Sequence, residues 1–161
     1  MSEQACIVFR VGDRSLALPA GEVLRVLPLP RLDRPPLCPP ANAGFLDLGG
    51  RLVTVLDAGV LLGIEVPPPG LYAHLLLLRA GNAGLALLVD QVIGLTRAQV
   101  GIAAAPAAES LRGIVIGELT EPSGNVHVLS LGRLLAEHER QRLDAFAEAE
   151  AARRLALESA S

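Results

Sequence analysis

The residues of this chain that could bind a metal ion or transfer a proton are few and lie far apart in the sequence. The three histidines are His74, His127 and His138, and none has a carboxylate or a cysteine at metal-ligand spacing. Cys6 and Cys38 follow no metal spacing either, which is typical of reduced, buried thiols. The chain has no lysine, no phosphate-binding loop, no dinucleotide fingerprint and no serine in a nucleophile elbow. From these observations we expect no metal site and no cofactor.

One carboxylate lies in a motif that could support catalysis. The segment VLDAG (Val55–Gly59) is similar to the Asp-Thr/Ser-Gly signature of aspartic proteases, in which two carboxylates about 3 Å apart share one proton. Position 58 is Ala instead of a hydroxyl residue, and a pair of Asp57 carboxylates could form only in a homodimer. The other interpretation is that Asp57 ends a strand and accepts backbone N–H bonds, as Asp47 and Asp90 would at their own strands.

An internal repeat argues against a catalytic role for Asp57. FRVGDRSLAL (Phe9–Leu18) aligns without a gap on LRAGNAGLAL (Leu78–Leu87) at an offset of 69, and VLDAGVLL (Val55–Leu62) aligns on VLSLGRLL at an offset of 73. The second match sets Ser130 opposite Asp57, so the second half lacks the carboxylate that a protease dyad needs. The repeat predicts a duplication and two similar small subdomains.

Composition excludes several classes of protein. The chain has 161 residues, of which 51% are hydrophobic, 19% are charged and 2% are aromatic, with a net charge of −3. Nucleic-acid binding is disfavoured because neither a basic patch nor an aromatic stacking platform is present. The apolar run at Leu75–Leu78 is far too short to cross a bilayer, so we expect no direct membrane insertion. No signal peptide is visible at the N-terminus, and the protein is predicted to be cytoplasmic.

Short apolar runs separated by glycine and proline turns predict an all-β fold of the barrel or sandwich class. A proline-rich loop at Leu27–Pro40 and a three-proline linker at Val66–Gly70 interrupt the strands. The predicted strands are Cys6–Val11, Ser15–Leu18, Glu22–Leu27, Gly44–Leu48, Arg51–Leu56, Leu75–Arg79, Gly84–Val89, Gln91–Leu95, Gly113–Leu119 and Asn125–Leu129. Turns are expected at Gly12-Asp13, Gly49-Gly50, Gly81-Asn82 and Pro122–Asn125, and Asp57–Leu62 is either one helical turn or the end of a strand.

The C-terminal segment differs from the rest. From Leu131 to about Leu157 the residues Ala, Leu, Glu and Arg dominate, which favours a helix with Ser130 as its N-cap. We expect its first two turns to pack on the barrels. Beyond Arg140 the helix is expected either to project into solvent or to meet a partner.

The order of these motifs resembles the CheW-like domain of bacterial chemosensory systems from Ile7 to Leu135. Three blocks carry the resemblance: Pro-x4-Gly at Pro39–Gly44, Gly-Leu-x3-Val-Asp at Gly84–Asp90, and Leu-x-x-Leu-Leu at Leu131–Leu135. The resemblance implies two interlocked, five-stranded, SH3-like barrels without an active site, followed here by a C-terminal helix. It also implies an adaptor in which one barrel binds the regulatory domain of a CheA-type histidine kinase. The groove between the barrels would bind the cytoplasmic tip of a chemoreceptor, and other CheW-like domains are possible partners.

The chain departs from the family pattern at the first hairpin, where the family usually has Asn-Leu-Arg-Gly. Here the segment is Asp47-Leu48-Gly49-Gly50, and Arg51 is the nearest arginine. Asn42 and Ser130 also differ from the customary apolar residue and Asp. These changes indicate a divergent chemosensory system. By resemblance, the receptor or kinase interface is expected to include Asp47, Leu48, Gly49, Arg51, Val53, Val89, Asp90 and Val92, with Val53 and Leu48 taken as apolar surface residues.

The predicted organisation is a CheW-like domain at residues 1–140, with repeats at about 7–63 and 76–135, and a helical extension at 141–161. Three hypotheses stay open at this point. The first is the non-catalytic adaptor, the second is a homodimeric aspartic hydrolase that uses Asp57, and the third is a stand-alone dimerisation module built on the C-terminal helix. Deleting Arg140–Ser161 should dissociate the third but leave an adaptor core folded.

Overall fold

Two β-sheets and a long C-terminal helix make up the structure. The computed structural model describes residues 3–34, 39–80, 84–102, 111–122 and 124–160. The first sheet has six strands in the order β8-β1-β2-β11-β10-β9, and the second has five in the order β3-β6-β7-β5-β4. The predicted all-β fold with a C-terminal helix is confirmed, with the difference that a two-residue strand, β9, adds a sixth strand to one sheet.

The strands and helices are separated by turns and loops that contain glycine and proline. Two short 3-10 turns lie at Ala20–Glu22 and Leu111–Gly113. The strands of the first half are β1 Glu3–Val11, β2 Arg14–Pro19, β3 Val23–Pro28, β4 Asn42–Leu48 and β5 Arg51–Asp57, followed by helix α1, Ala58–Leu62. The second half contains β6 His74–Leu78, β7 Leu85–Val89, β8 Gln91–Gln99, β9 Gly101–Ile102, β10 Val115–Glu121 and β11 Gly124–Leu129, followed by helix α2, Leu131–Ala160.

The two halves of the chain exchange their first hairpins. The β1–β2 hairpin of the first half joins β8, β10 and β11 of the second, whereas the β6–β7 hairpin of the second half joins β3, β4 and β5 of the first. The register repeats accordingly, because Phe9 lies opposite Val92 and Leu78 lies opposite Val23, each pair displaced by 69 residues from the other. Each sheet is therefore built from both sequence repeats, and the sheets are interlocked.

The buried side chains explain why the two sheets stay together. One small cluster lies within the first sheet and includes Cys6, Val8 and Val128. Its counterpart in the second sheet includes Val55 and Leu75. The largest cluster draws side chains from both sheets and from both helices, and its fully buried members are Phe9, Leu16, Leu18, Leu56, Ala58, Leu61, Leu76, Leu87, Val115, Leu129 and Leu134. Separating the sheets would expose this shared apolar surface to water.

Helix α2 begins where the sequence predicts and continues without a break to Ala160. Ser130 is its N-cap, since the Oγ of Ser130 accepts the N–H of Arg133 at 3.2 Å. Leu131 and Leu134 are buried, and from Arg142 onward only Ala145 and Glu150 are partly buried among the residues whose burial the structure describes. Of the two alternatives for Asp57–Leu62, the helical turn is the correct one: it is α1, which Gly63 ends in the left-handed conformation.

Some predictions fall outside the described residues. These are the Gly81-Asn82 turn, Ser123 in the turn between β10 and β11, and Cys38 with its neighbours in the proline-rich loop. The described part of that loop is extended. Asp33 pairs with Phe45 of β4, and the N–H of Leu29 donates to the carbonyl of Ala73 at 3.1 Å.

Candidate partner-binding surfaces

Two edge strands expose apolar side chains at equivalent places in the two sheets. β3 is the edge strand of the five-stranded sheet, and its Leu24 and Val26 are 46% and 40% exposed. β8 is the corresponding edge strand of the six-stranded sheet, and its Ile93 and Leu95 are 53% and 63% exposed. We call these the β3 surface (Leu24, Val26) and the β8 surface (Ile93, Leu95). Adjacent apolar side chains on a sheet edge are a common basis for protein–protein contact.

A β-bulge lies at the same point of each surface. The β1–β8 register passes from the pair Val8–Gly94 to the pair Phe9–Val92, so Ile93 is the extra residue. The β3–β6 register shifts in the same way around Leu24, which aligns with Ile93 at the offset of 69. A bulge increases local twist and re-aims a side chain, and it also interrupts the ladder that another strand could extend. Both bulges therefore favour recognition through side chains.

The β4–β5 hairpin is the second feature that the sequence analysis selected. Gly49 and Gly50 both have positive φ, 61° and 86°, as a two-residue hairpin turn requires. Asp47 supports the turn, because its Oδ1 accepts the N–H of Gly50 at 2.7 Å. Leu48 lies directly opposite Arg51, which places these two side chains on one face of the hairpin. The predicted interface role of Asp47, Leu48, Gly49 and Arg51 stays a prediction.

The expectation that Val53 is a surface residue is wrong. Val53 is 1% exposed and belongs to the core of the five-stranded sheet, whereas its neighbour Leu52 is 64% exposed. Val89 is also buried, at 1% exposure, and Val92 packs against the shared core. Both Leu52 and Val53 are apolar, so alternation along β5 could not show which face is covered. Val53 and Val89 are therefore covered by the fold, and the predicted interface role of the three valines stays a prediction.

Asp57 and Asp90 both accept hydrogen bonds from backbone N–H groups. The Oδ1 of Asp57 accepts the N–H groups of Gly59 and Val60 at 3.0 and 3.3 Å, so Asp57 caps α1. The Oδ2 of Asp90 accepts the N–H of Gly12 at 2.7 Å, which fastens the β1–β2 turn to the end of β7. Both residues line a shallow depression together with Val66–Pro69. The structural interpretation of Asp57 as a strand-end acceptor is confirmed in its geometry.

The histidines also make structural contacts. The Nδ1 of His74 lies 2.7 Å from the carbonyl oxygen of Tyr72, and the Nε2 of His127 lies 3.1 Å from Oε1 of Glu118 on the neighbouring strand. His138 lies on α2 and lines a pocket between this helix and residues 39–42, and burial lowers the pKa of its imidazole. In the described ranges, no three His, Cys, Asp or Glu side chains come together as a metal site would require. No helix in the same ranges is long and apolar enough to span a bilayer.

Helix α2 is fastened to α1 by a polar cluster around Glu137. Arg112 donates to the carbonyl of Leu61 at 3.2 Å and to Glu137 at 3.3 Å. Gln141 donates to the same carbonyl at 3.2 Å and to Glu137 at 2.8 Å. Hydrogen bonding from Arg140 is the largest cause that lowers the pKa of Glu137 to about 2. The cluster covers the C-terminal end of α1 and holds α2 in place one turn beyond its apolar contacts.

A second carboxylate lies beside the start of α2. Burial raises the pKa of Glu22, and a hydrogen bond from the backbone N–H of Leu131 offsets part of that effect. The Oε2 of Glu22 is buried and has no hydrogen-bond partner in the described structure. Burial, reinforced by the nearby charge of Glu22, also raises the pKa of Cys6, which keeps this thiol protonated and unreactive.

The fold agrees with comparisons against known proteins. A family model described as the CheW-like domain matches residues 5–139. The chain belongs to the CheW-like domain family. Protein PilI of Pseudomonas aeruginosa is 33% identical over 89 residues, which are 55% of this chain and 50% of that protein, so the chain spans about half the length of this curated relative.

The crystal structure of scaffolding protein TtCheW from Thermoanaerobacter tengcongensis superimposes on this CheW-like domain with a TM-score of 0.71. The match covers 81% of this chain and 86% of that one at 16% sequence identity, and it therefore shows the fold alone. CheW-like proteins are non-catalytic scaffolds, which agrees with the adaptor hypothesis. The repeat found in the sequence corresponds to the paired bulges and exchanged hairpins of this CheW-like fold.

The β3 and β8 surfaces were not among the predicted site residues. The signal for them was present in the repeat, because Val23-Leu24-Arg25-Val26 aligns with Val92-Ile93-Gly94-Leu95 at the offset of 69. An apolar pair that recurs in both halves could belong to the core or to a duplicated surface. Only the strand order shows that both pairs lie on sheet edges.

Proposed function

We propose that this CheW-like protein is a non-catalytic adaptor that couples a chemoreceptor of the methyl-accepting type to a CheA-type histidine kinase. The observation that carries the proposal is the pair of equivalent apolar edges, the β3 surface and the β8 surface. The regulatory domain of such a kinase is itself CheW-like by the resemblance, so one such edge could pack against a matching edge of that domain. The protein would act in the cytoplasm and associate with membrane receptor arrays through its partners.

The geometry of the acidic residues supports an adaptor over a hydrolase. Asp57 is committed to two backbone N–H groups, and the equivalent residue Ser130 has no carboxylate. A protease dyad would need two carboxylates that share a proton. A receptor tip would instead bind the region between the sheets, near the depression lined by Asp57, Asp90 and Val66–Pro69.

The sequence of the β4–β5 hairpin supports a role in a divergent chemosensory system and not in the principal motility pathway. Gly49 has φ of 61°, a conformation that favours glycine and that arginine rarely adopts. A Gly49→Arg substitution would therefore strain this turn rather than simply restore the family residue. Because the turn geometry of this hairpin favours glycine at position 49, we expect the receptor contact to differ from that of family members with arginine there.

Binding to the kinase tests the proposal. We expect Leu95→Glu or Val26→Glu to weaken binding to the regulatory domain of a CheA-type kinase at least tenfold, measured by isothermal titration calorimetry. Leu155→Glu is the matched control, because Leu155 is similarly exposed, at 64%, but belongs to α2 and to neither edge strand. Wild-type affinity in both edge variants, or no binding by the wild type to a kinase encoded beside it, would contradict the proposal. Circular dichroism should show that each variant stays folded.

A further inference from the structure

The outer half of α2 carries an apolar stripe that the rest of the described structure does not cover. Leu143, Phe146 and Leu157 are 59%, 67% and 66% exposed. With Glu150 and Arg153 they follow the spacing 3-4-3-4, which at about 100° per residue places all five on one narrow face of the helix. This face is different from the one that packs on the barrels through Leu134, His138 and Gln141.

The polar residues in this stripe identify what could cover it. Glu150 and Arg153 stand at the two central stripe positions, one acidic and one basic, and they pair within the helix at 2.7 and 2.9 Å. In a parallel pair of α2 helices each residue would face its own copy, so that carboxylate meets carboxylate and guanidinium meets guanidinium. In an antiparallel pair with the two-fold axis between residues 151 and 152, Glu150 faces the partner's Arg153 in both directions.

The same antiparallel register also matches the apolar residues. It sets Phe146 opposite the partner's Leu157, and the pairing is again reciprocal. Two Phe–Leu contacts would then flank two Glu–Arg pairs along a symmetric seam. The sequence of the stripe is therefore complementary to itself in one orientation and repulsive in the other.

We propose that this protein forms a homodimer through an antiparallel pairing of its α2 helices. The helix is anchored to its own barrels up to Gln141, so the dimer places two adaptor domains at opposite ends of a helical rod. The paired segment of about 18 residues is about 27 Å long, which is small for a stable interface, so self-association depends on concentration. Two adaptors on one rod would bind an array of partners with increased effective concentration. The gain in effective concentration rests on the proposed function, whereas self-association does not, because it needs neither kinase nor receptor.

Sedimentation equilibrium of the full-length chain tests the homodimer. We expect the wild-type mass to rise from 16.8 kDa toward twice that value as the concentration increases. Leu157→Glu should weaken dimerisation at least tenfold. Leu155→Glu should behave as the wild type, because Leu155 is equally exposed but lies on the opposite side of the helix from the stripe. A wild type that stays monomeric at every concentration overturns the proposal, as does equal loss in both leucine variants.

Charge reversal tests the antiparallel register. Glu150→Arg and Arg153→Glu should each abolish dimerisation, because each creates two like-charge contacts across the seam. The double variant Glu150→Arg/Arg153→Glu restores both opposite-charge pairs and should return the dimer. Failure of the double variant to dimerise, with its helicity unchanged by circular dichroism, would overturn this register. Kinase binding is measured separately, so failure of the dimer and failure of the adaptor function can be distinguished.

Discussion

Asp57 and Ser130 occupy equivalent positions 73 residues apart and cap the two α-helices of the described structure. The backbone around them is also equivalent, since the N–H of Asp57 donates to the carbonyl of Ala41 at 2.8 Å and the N–H of Ser130 donates to that of Ile114 at 3.0 Å. The carboxylate of Asp57 and the hydroxyl of Ser130 therefore both cap the N-terminus of a helix. The alignment that argues against the protease hypothesis also identifies a shared structural role.

The capping role makes a prediction about Asp57. Asp57→Ala should lower the free energy of unfolding by about 1 kcal/mol, because two N–H groups at the start of α1 lose their acceptor. Asp57→Asn should retain most of the stability, since asparagine is an equally good N-cap. Urea denaturation of both variants measures the difference. Loss of a peptidase activity in Asp57→Asn, with stability intact, would support the hydrolase instead.

The two adjacent apolar residues of β5 should respond differently to charge. Val53→Glu should cost about 3 kcal/mol or more, because it buries an unpaired carboxylate in the core of the five-stranded sheet. Leu52→Glu should change stability by about 0.5 kcal/mol or less, since Leu52 is 64% exposed. Thermal unfolding of the two variants in parallel makes the comparison. Similar melting temperatures would mean that the assigned faces of β5 are incorrect.

The cluster at Glu137 should make stability depend on acid pH. The pKa of Glu137 lies at about 2, below its ordinary value of 4.5, so the ionised carboxylate stabilises the fold above pH 4.5 and this contribution is lost as the pH falls toward 2. Glu137→Gln should cost about 1 kcal/mol at neutral pH, and the difference from wild type should shrink through that window.

Glu139→Gln is the matched control for Glu137. Glu139 lies two residues further along α2, is exposed, and approaches Arg142 only to 3.8 Å. Its substitution should change stability little at any pH. A pH-independent difference between Glu137→Gln and wild type would show that the carboxylate charge does not hold α2 against α1.

The stability contribution of Glu22 should depend on pH in the opposite direction to that of Glu137. Burial raises its pKa above 4.5, so its contribution is most favourable below pH 4.5 and is lost as the pH rises through the folded-state value. Wild type should therefore gain stability relative to Glu22→Gln as the pH is lowered from neutrality. Guanidinium unfolding at several pH values follows this difference, and a slope of the reverse sign would contradict the burial of this carboxylate.

Much of this fold is present in local sequence signals. The Gly49-Gly50 turn, the N-caps Asp57 and Ser130, and the helical composition after Leu131 each depend on residues within a few positions of one another. Local backbone preferences and capping determine such features, so they could be predicted. The internal repeat predicted that the two halves are equivalent, and the order of the motifs indicated the CheW-like family.

Long-range pairing decided the rest. The sequence could not show that the β1–β2 hairpin pairs with β8 and β11 instead of with β3 to β5 of its own half, because both choices satisfy the same apolar pattern. Nor could it show that Leu52 is exposed and Val53 buried, or that Leu24, Val26, Ile93 and Leu95 lie on open edges. In a chain that is 51% hydrophobic, alternation alone does not distinguish core from surface. The sequence by itself determined the elements, their duplication and the family, whereas the tertiary structure decided which apolar side chains the exchanged sheets cover and which they leave for partners.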